Sequence, residues 1–364
     1  MLSVNIKKRL GDFQLDVQFE TDQTTLALLG HSGCGKSMTL KCIAGILTPD
    51  EGSIVLNGRT LFDSSKRINL TPQKRKVGYL FQEYALFPNM TVEQNIACAL
   101  HSLPYANRKE AVAKAISRYQ LTGLEKLKPY QLSGGQKQRT ALARIMTSEP
   151  EVLLLDEPFS ALDNYLKFQM ELDLLDTLSA YDGDVVFVSH SRNEVSTICK
   201  DVCILHDGHC EAKERVTDMM SNPRTVSAAL LSRCANFTAV KAIGDHLLYS
   251  DEWDLGFVTN AEIDEHTESI GIRAGSVKPC ISDGIRPHSE KEEAGSNIFR
   301  CRIVRIVEDA KGDILLLMPE HAKAGARTLR MDTDSNEYST NARIGDMITV
   351  KIAPEHIMPL QGIL

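Results

Sequence analysis

The octapeptide GHSGCGKS at residues 30–37 fits the pattern G-x-x-x-x-G-K-[ST]. Gly30, Gly33 and Gly35 let the backbone curl until successive N–H groups point inward, where they suit phosphate oxygens. His31, Ser32 and Cys34 fill out the curl, and a following helix N-terminus adds its dipole through Met38. Lys36 would reach the outer phosphates of a nucleotide and Ser37 would offer its hydroxyl to Mg2+. A second group of chemical residues ends the run EVLLLDEP, where Asp156 and Glu157 emerge from an apolar segment. A carboxylate at Asp156 suits Mg2+ held through water, and one at Glu157 suits polarising the water that attacks a γ-phosphate. Only geometry can divide those roles between the two acids.

Gln82 in GYLFQEYALFP and His190 in VFVSHS are single polar residues close behind apolar runs. Each reads equally as an ordinary loop residue or as a sensor, with Gln82 reaching Mg2+ or water and His190 reaching the γ-phosphate. The segment LSGGQKQRTALAR at residues 132–144 opens a helical pattern on a glycine pair, far beyond the phosphate loop in the chain. Ser133, Gly134, Gly135 and Gln136 would present a hydroxyl and N–H groups from a helix start, a second phosphate device without an obvious ligand.

These residues need elements to hold them. FQLDVQFE alternates, with Phe13, Leu15, Val17 and Phe19 on one face of a half-buried strand. TLALLG, GYLFQ, EVLLLDEP and DVVFVSH are continuous apolar runs separated by helical patterns, which implies a mainly parallel sheet with its ligands at the carboxyl ends of the strands. A mostly helical stretch at about 84–146, including NRKEAVAKAISRYQ, forms a subdomain of the first domain, residues 1–230. From 231 to 364 the chain changes to short alternating segments such as ESIGIRAGSV, FRCRIVRIVED and DMITVKIAP, the pattern of a small β-barrel.

Composition narrows the class. The formal net charge is −7, and the surplus of acid is C-terminal, with 26 Lys/Arg against 27 Asp/Glu up to residue 230 and 15 against 21 beyond it. Neither part has the basic balance that non-specific nucleic-acid binding requires, so no nucleic-acid partner is expected. Apolar runs fall short of the ~18 residues that a membrane span needs, and MLSVNIKKRLG lacks a signal-type apolar region, so a cytosolic chain is expected. Nine cysteines without a CxxC pair read as free, mostly buried thiols.

Taken together, the phosphate loop, FQ, LSGGQKQR, LLLDEP, SALD and SH occur in the order and spacing of the ATP-binding cassette ATPases, which residues 1–230 closely resemble. The resemblance implies a P-loop NTPase cassette, an α/β fold with a helical subdomain, using ATP and Mg2+. It further implies a head-to-tail dimer in which Ser133, Gly134, Gly135 and Gln136 of one copy face the ATP on the loop of the other, with Asp163 at the interface. His31 and Met38 depart from the proline and threonine common at those positions. An adenine-stacking role is not transferred to Phe13, which lies on the apolar side of its strand.

The absence of an apolar span and of a second cassette points to the separate ATPase subunit of a binding-protein-dependent importer. Its partners would be two membrane permease subunits and, indirectly, an external solute-binding protein, and it would sit on the cytoplasmic face of the membrane. Tyr84, Leu86, Phe87 and Met90 either line the groove that receives a permease helix or, for some of the four, pack into the core of the helical subdomain. The C-terminal region resembles the regulatory barrel, of TOBE or mop type, that follows such cassettes, and the whole is most like importers of the molybdate type. There Ser296, Asn297 and Arg300 would bind a regulatory oxyanion. Sulfate and tungstate are the alternative cargoes, and a non-transport cassette ATPase acting on nucleic acid or the ribosome is the rival class.

Overall fold

The computed structural model describes residues 1–100, 104–160, 164–280, 297–309, 312–333 and 342–362, and the side chains of 164–166 lie outside that description. Asp163 and Ser296 also fall outside it. Two compact units are present, Met1–Thr217 and Asp218–Leu364.

The first unit is built on a twelve-stranded mixed sheet. One part is antiparallel: β1 (Leu2–Leu10) pairs with β2 (Phe13–Thr21) on one edge and β4 (Glu51–Leu56) on the other, and β5 (Arg59–Asp63) and β6 (Ile68–Asn69) continue outward. The other part is parallel, in the order β7 (Val77–Leu80), β8 (Val152–Asp156), β9 (Asp184–Val188), β3 (Thr25–Leu29), β10 (Asp201–His206). Composition explains the division. In β2 Leu15, Val17 and Phe19 are buried while their neighbours are not, as expected for a sheet with one wet face, whereas every residue of β8 and β9 is buried.

Register then aligns the carboxyl ends: Leu28 lies opposite Val188, and Val188 opposite Asp156. The turn leaving β3, the acids ending β8 and the serine–histidine pair ending β9 are thereby neighbours on one edge. Helices α1 (Lys36–Ala44), α2 (Pro72–Arg75), α3 (Val92–Ala97), α4 (Tyr105–Arg118), α5 (Gly134–Thr147), α6 (Asn164–Ser179) and α7 (Arg192–Ile198) complete the unit. Three of them, α3 to α5, form the helical stretch between β7 and β8.

The C-terminus of α1 is held by a residue that reads from the sequence as a surface cation. Arg75 is fully buried, and its guanidinium donates to the carbonyls of Cys42 and Ile43 at 2.8 Å, to Leu70 at 2.9 Å and to Asn69 Oδ1 at 2.8 Å. Two of these acceptors belong to the last turn of α1, where i+4 donors run out and, among the described residues, Cys42 otherwise accepts only the Gly45 N–H, at 3.2 Å. Gly45 ends the helix at φ 79°, and a Cβ there would come within 2.6 Å of Arg75 Nε. Arg75→Met should therefore cost about 3 kcal/mol, because carbonyls buried around the guanidinium lose their donors. A lowered urea midpoint of the first unit, with the second unit unchanged, is the expected measurement.

Among the described residues, the second unit consists of β-strands apart from short helical turns, the end of the helix Val216–Ser221 and the helix Val226–Leu231. Its antiparallel sheets are Cys234–Ala239 with Thr267–Arg273 and Met358–Gln361, then Lys241–Gly244 with Leu247–Ser250 and Leu255–Val258, and a five-stranded sheet centred on Asn297–Val307 and Met347–Ile352. All three sheets contribute to one core, with Ile270, Leu248, Trp253, Phe257, Phe299 and Val350 inside it, as a small barrel requires. The nine cysteines are free, most of them buried.

Candidate nucleotide site

The loop after β3 has the predicted shape. Gly33 and Gly35 adopt φ values of +85° and +107°, and a Cβ on Gly35 would meet Leu15 Cδ1 at 2.5 Å and the Phe13 ring at 3.3 Å. Gly30 is equally constrained, since a Cβ there would strike the carbonyl of Leu205 at 2.2 Å. Phe13 is packed against the core beside the loop. Lys36 is buried, and its ammonium donates to the carbonyls of Gly30 at 2.8 Å and His31 at 2.9 Å, so the loop closes around its own cation. A phosphate would offer that ammonium stronger, charged acceptors than two neutral carbonyls.

Ser37 and Asp156 meet directly, Oγ donating to Oδ1 at 2.8 Å. The other carboxylate oxygen accepts from Tyr79 Oη at 2.8 Å. Burial first, then the adjacent Asp156 charge, pushes the Tyr79 hydroxyl far above the ordinary phenol range, which keeps it a donor. A hydroxyl and a carboxylate at this spacing form the donor set that Mg2+ prefers, hard oxygens with room for water and phosphate. Tyr79 was not legible from the sequence, because an aromatic inside the run VGYL reads as core.

Glu157 stands one residue further, at φ 47°. Its N–H donates to the carbonyl of Val188 at 3.0 Å, and Ser160 Oγ donates to its carbonyl at 3.0 Å, so the turn is held from two sides. Gln82 Nε2 approaches Glu157 Oε2 to 3.5 Å, and His190 Nδ1 approaches the same oxygen to 3.6 Å. Residues from the ends of three strands thus converge on one carboxylate oxygen at separations that leave scope to tighten around a ligand. His190 is positioned by its neighbours: Ser189 Oγ donates to the buried Glu194 and accepts from the Ser191 N–H, and Lys167 pairs with Glu194.

Ser133 caps α5 in a reciprocal box. Its Oγ accepts from the Gln136 N–H at 3.3 Å, and Gln136 Oε1 accepts from the Ser133 N–H at 2.9 Å. The hydroxyl proton of Ser133 is left to donate elsewhere. A Cβ on Gly135 would lie 3.0 Å from Met170 Sδ, a close contact that the flexible methionine would have to relieve. Among the described residues, the hydrogen bonds of Ser133 and Gln136 stay within this cap and the helix, with none to the phosphate loop.

Of the residues expected in a docking groove, Tyr84 is buried in the core, while Phe87 and Met90 are exposed. Asn95 pins that exposed loop, accepting from the Phe87 N–H and donating to the carbonyls of Phe87, Met90 and Thr91. In the second unit Asn297 is buried, and its amide is committed to Val258, donating to the carbonyl at 2.9 Å and accepting from the N–H at 2.7 Å. Arg300 lies 3.6 Å from Glu320.

The family model described as ABC transporter matches residues 14–160. The Molybdate/tungstate import ATP-binding protein WtpC of Archaeoglobus fulgidus is 36% identical over 231 residues, 64% of this chain and 94% of that protein. The Molybdenum import ATP-binding protein ModC of Paramagnetospirillum magneticum is 36% identical over 226 residues, 61% of this chain and 61% of its own length, so the chain spans about three fifths of that relative. Proteins named for sulfate/thiosulfate and spermidine/putrescine import match as well, the latter along 98% of this chain. A solved dimeric ATP-binding cassette bound to ADP and Pi covers 59% of this chain and 99% of its own at a TM-score of 0.51 and 24% identity, a likeness of fold. Among the described residues, no helix is long and apolar enough to cross a membrane.

Proposed function

The chain belongs to the ABC transporter family and carries its ATPase domain, and from that premise we propose that it is the ATP-hydrolysing subunit of an importer. The observation that carries this reading is the convergence of Gln82 and His190 on Glu157 beside the Ser37–Asp156 pair. In the proposed site Lys36 exchanges the Gly30 and His31 carbonyls for phosphate oxygens, and the N–H groups of residues 33–38 cradle the same phosphates. Ser37 and Asp156 hold Mg2+, with Gln82 adjoining. Bound there, the metal neutralises charge on the phosphates. Glu157 orients the attacking water and accepts its proton, and His190 presents a ring nitrogen to the γ-phosphate. The partners of Asp156 and Glu157 support this division of roles: one carboxylate is committed to Ser37 and Tyr79, and the other faces Gln82 and His190.

The second phosphate device is explained by a partner. Ser133 and the N-terminus of α5 would close over ATP held on the loop of another copy, giving a two-fold dimer with two composite sites. ATP then favours closure because its contacts to the signature segment exist only in the closed state, and loss of the γ-phosphate removes them. Phe87 and Met90, exposed on the loop pinned by Asn95, suit a permease helix on the cytoplasmic face of the membrane.

Molybdate is the cargo that the resemblance and the names of the relatives favour, with tungstate and sulfate as alternatives. Isolation of the chain with its permeases, followed by assay of ATP-dependent uptake into vesicles, tests the assignment. Molybdate uptake that sulfate does not compete supports it. Uptake of sulfate or a polyamine alone overturns the cargo, and failure to associate with any permease overturns the importer. A regulatory oxyanion in the second unit would have to rely on Ser296, Arg300 and backbone donors, since the Asn297 amide is committed. ATPase activity of the assembled transporter that millimolar molybdate leaves unchanged would contradict such feedback.

A further inference from the structure

We propose that His31, His206 and Asp207 form a binding site for a borderline divalent metal ion of the Zn2+ class, joining the phosphate loop to the turn after β10. One ligand atom from each residue lies within 4.8 Å of the others, and all three residues are exposed. Their proximity is set by the sheet. β10 runs parallel to β3 with Ile204 opposite Leu29, so the first residues beyond the two strand ends come together. His31 is the second residue after β3, His206 is the last of β10, and Asp207 follows in a tight turn at φ 45°.

The orientation of the rings argues for a cation. His31 Nδ1 lies 2.7 Å from the carbonyl oxygen of Ser32, an atom that can only accept, so the ring proton belongs on Nδ1. Nε2 then points a lone pair at Asp207 Oδ1, 3.3 Å away. A lone pair facing a carboxylate is unfavourable unless a proton or a metal ion lies between them. On the other side His206 Nδ1 is 3.9 Å from Asp207 Oδ2, and the two imidazoles meet edge-on with centroids 5.8 Å apart. Asp207 is therefore flanked by one imidazole at each oxygen.

Two imidazoles and one carboxylate form a set that suits Zn2+ and its neighbours among the divalent transition metals, with a remaining position for water. Ligand atoms around tetrahedral Zn2+ at ~2.0–2.1 Å stand about 3.3 Å apart. The His31–Asp207 pair is already at that separation. Rotation of an exposed His206 side chain closes the remainder. The Nδ1–H bond to the Ser32 carbonyl is the kind of outer contact that fixes the tautomer of a metal-ligating histidine. Since the His31 carbonyl also accepts from Lys36, an ion here would be coupled to the residue that meets phosphate.

The test is calorimetric titration of the full chain with Zn2+ in the absence of nucleotide, beside His206→Gln and Asp207→Asn. Both substitutions lie outside the phosphate loop, and unchanged far-ultraviolet circular dichroism controls for folding. The expected result is binding of one ion per chain that each variant weakens at least about tenfold. Co2+ loaded in its place should give a visible d–d absorption that His206→Gln removes. No binding by the unaltered chain would overturn the proposal. So would wild-type affinity in both variants, which would place the ion on thiols or on the Ser37–Asp156 pair.

Discussion

Glu157→Gln is expected to lower ATP turnover by about 10²–10⁴-fold, the usual worth of a positioned general base, while ATP binding stays intact. The substitution keeps the size of the side chain and its capacity to meet Gln82 and His190, whose contacts with Oε2 are 3.5 and 3.6 Å. What disappears is the negative charge that polarises water. The loop that binds phosphate is untouched, and removal of a carboxylate near a triphosphate does not weaken its attraction, so affinity should be unchanged or tighter. With hydrolysis blocked, the ATP-bound variant should accumulate as a dimer in gel filtration. Turnover close to that of the unaltered chain would remove Glu157 from the role proposed for it and leave the neighbouring Asp156, already committed to Ser37 and Tyr79.

Ser133→Glu should separate binding from catalysis in a different way. The serine oxygen now accepts the Gln136 N–H, and its proton is free to donate outward. Glutamate removes that donor and sets a carboxylate where the proposed partner's γ-phosphate would lie, a like-charge approach that costs several kcal/mol. Loss of the cap lowers stability by only about 1 kcal/mol. ATP should therefore bind each chain with the same affinity as before, whereas hydrolysis should drop by ~10²-fold or more, comparable with removing a preorganised donor at a developing charge. Introduced together with Glu157→Gln, the change should leave the ATP-bound protein monomeric in gel filtration. Loss of ATP affinity in Ser133→Glu alone would mean that the α5 N-terminus serves its own phosphate loop.

Much of this candidate site is legible in the sequence itself, residue by residue. A strand, a glycine loop and a helix are local events, so Gly33, Gly35, Lys36 and Ser37 could be placed from spacing alone. Polar residues ending continuous apolar runs had to lie at strand ends, which brought out Asp156, Glu157, Gln82 and His190. The convergence of Gln82 and His190 on one Glu157 oxygen is not legible there, because it depends on the register of β8 against β9 and on the position of β7 at the edge. The sheet also proved mixed, since the alternating N-terminal segments pair antiparallel beside the parallel strands. Tyr79 and Arg75 were hidden by type: an aromatic in an apolar run signals core, and an arginine in PQKRK signals solvent. Asn297 shows the converse, where a polar residue that looked available for a ligand is committed to the Val258 backbone.

The central claim is that a complete hydrolytic site needs two copies of the chain, and mixing two inactive variants tests it most directly. Lys36→Met disables the phosphate loop and Ser133→Glu disables the signature segment. In a mixed dimer one composite site carries both lesions and the other carries neither. If the chains pair at random, as within the assembled transporter, an equimolar mixture should recover about a quarter of the unaltered ATPase rate, because half of the dimers are mixed and each has one intact site. A mixture no more active than the two variants measured separately would contradict the account.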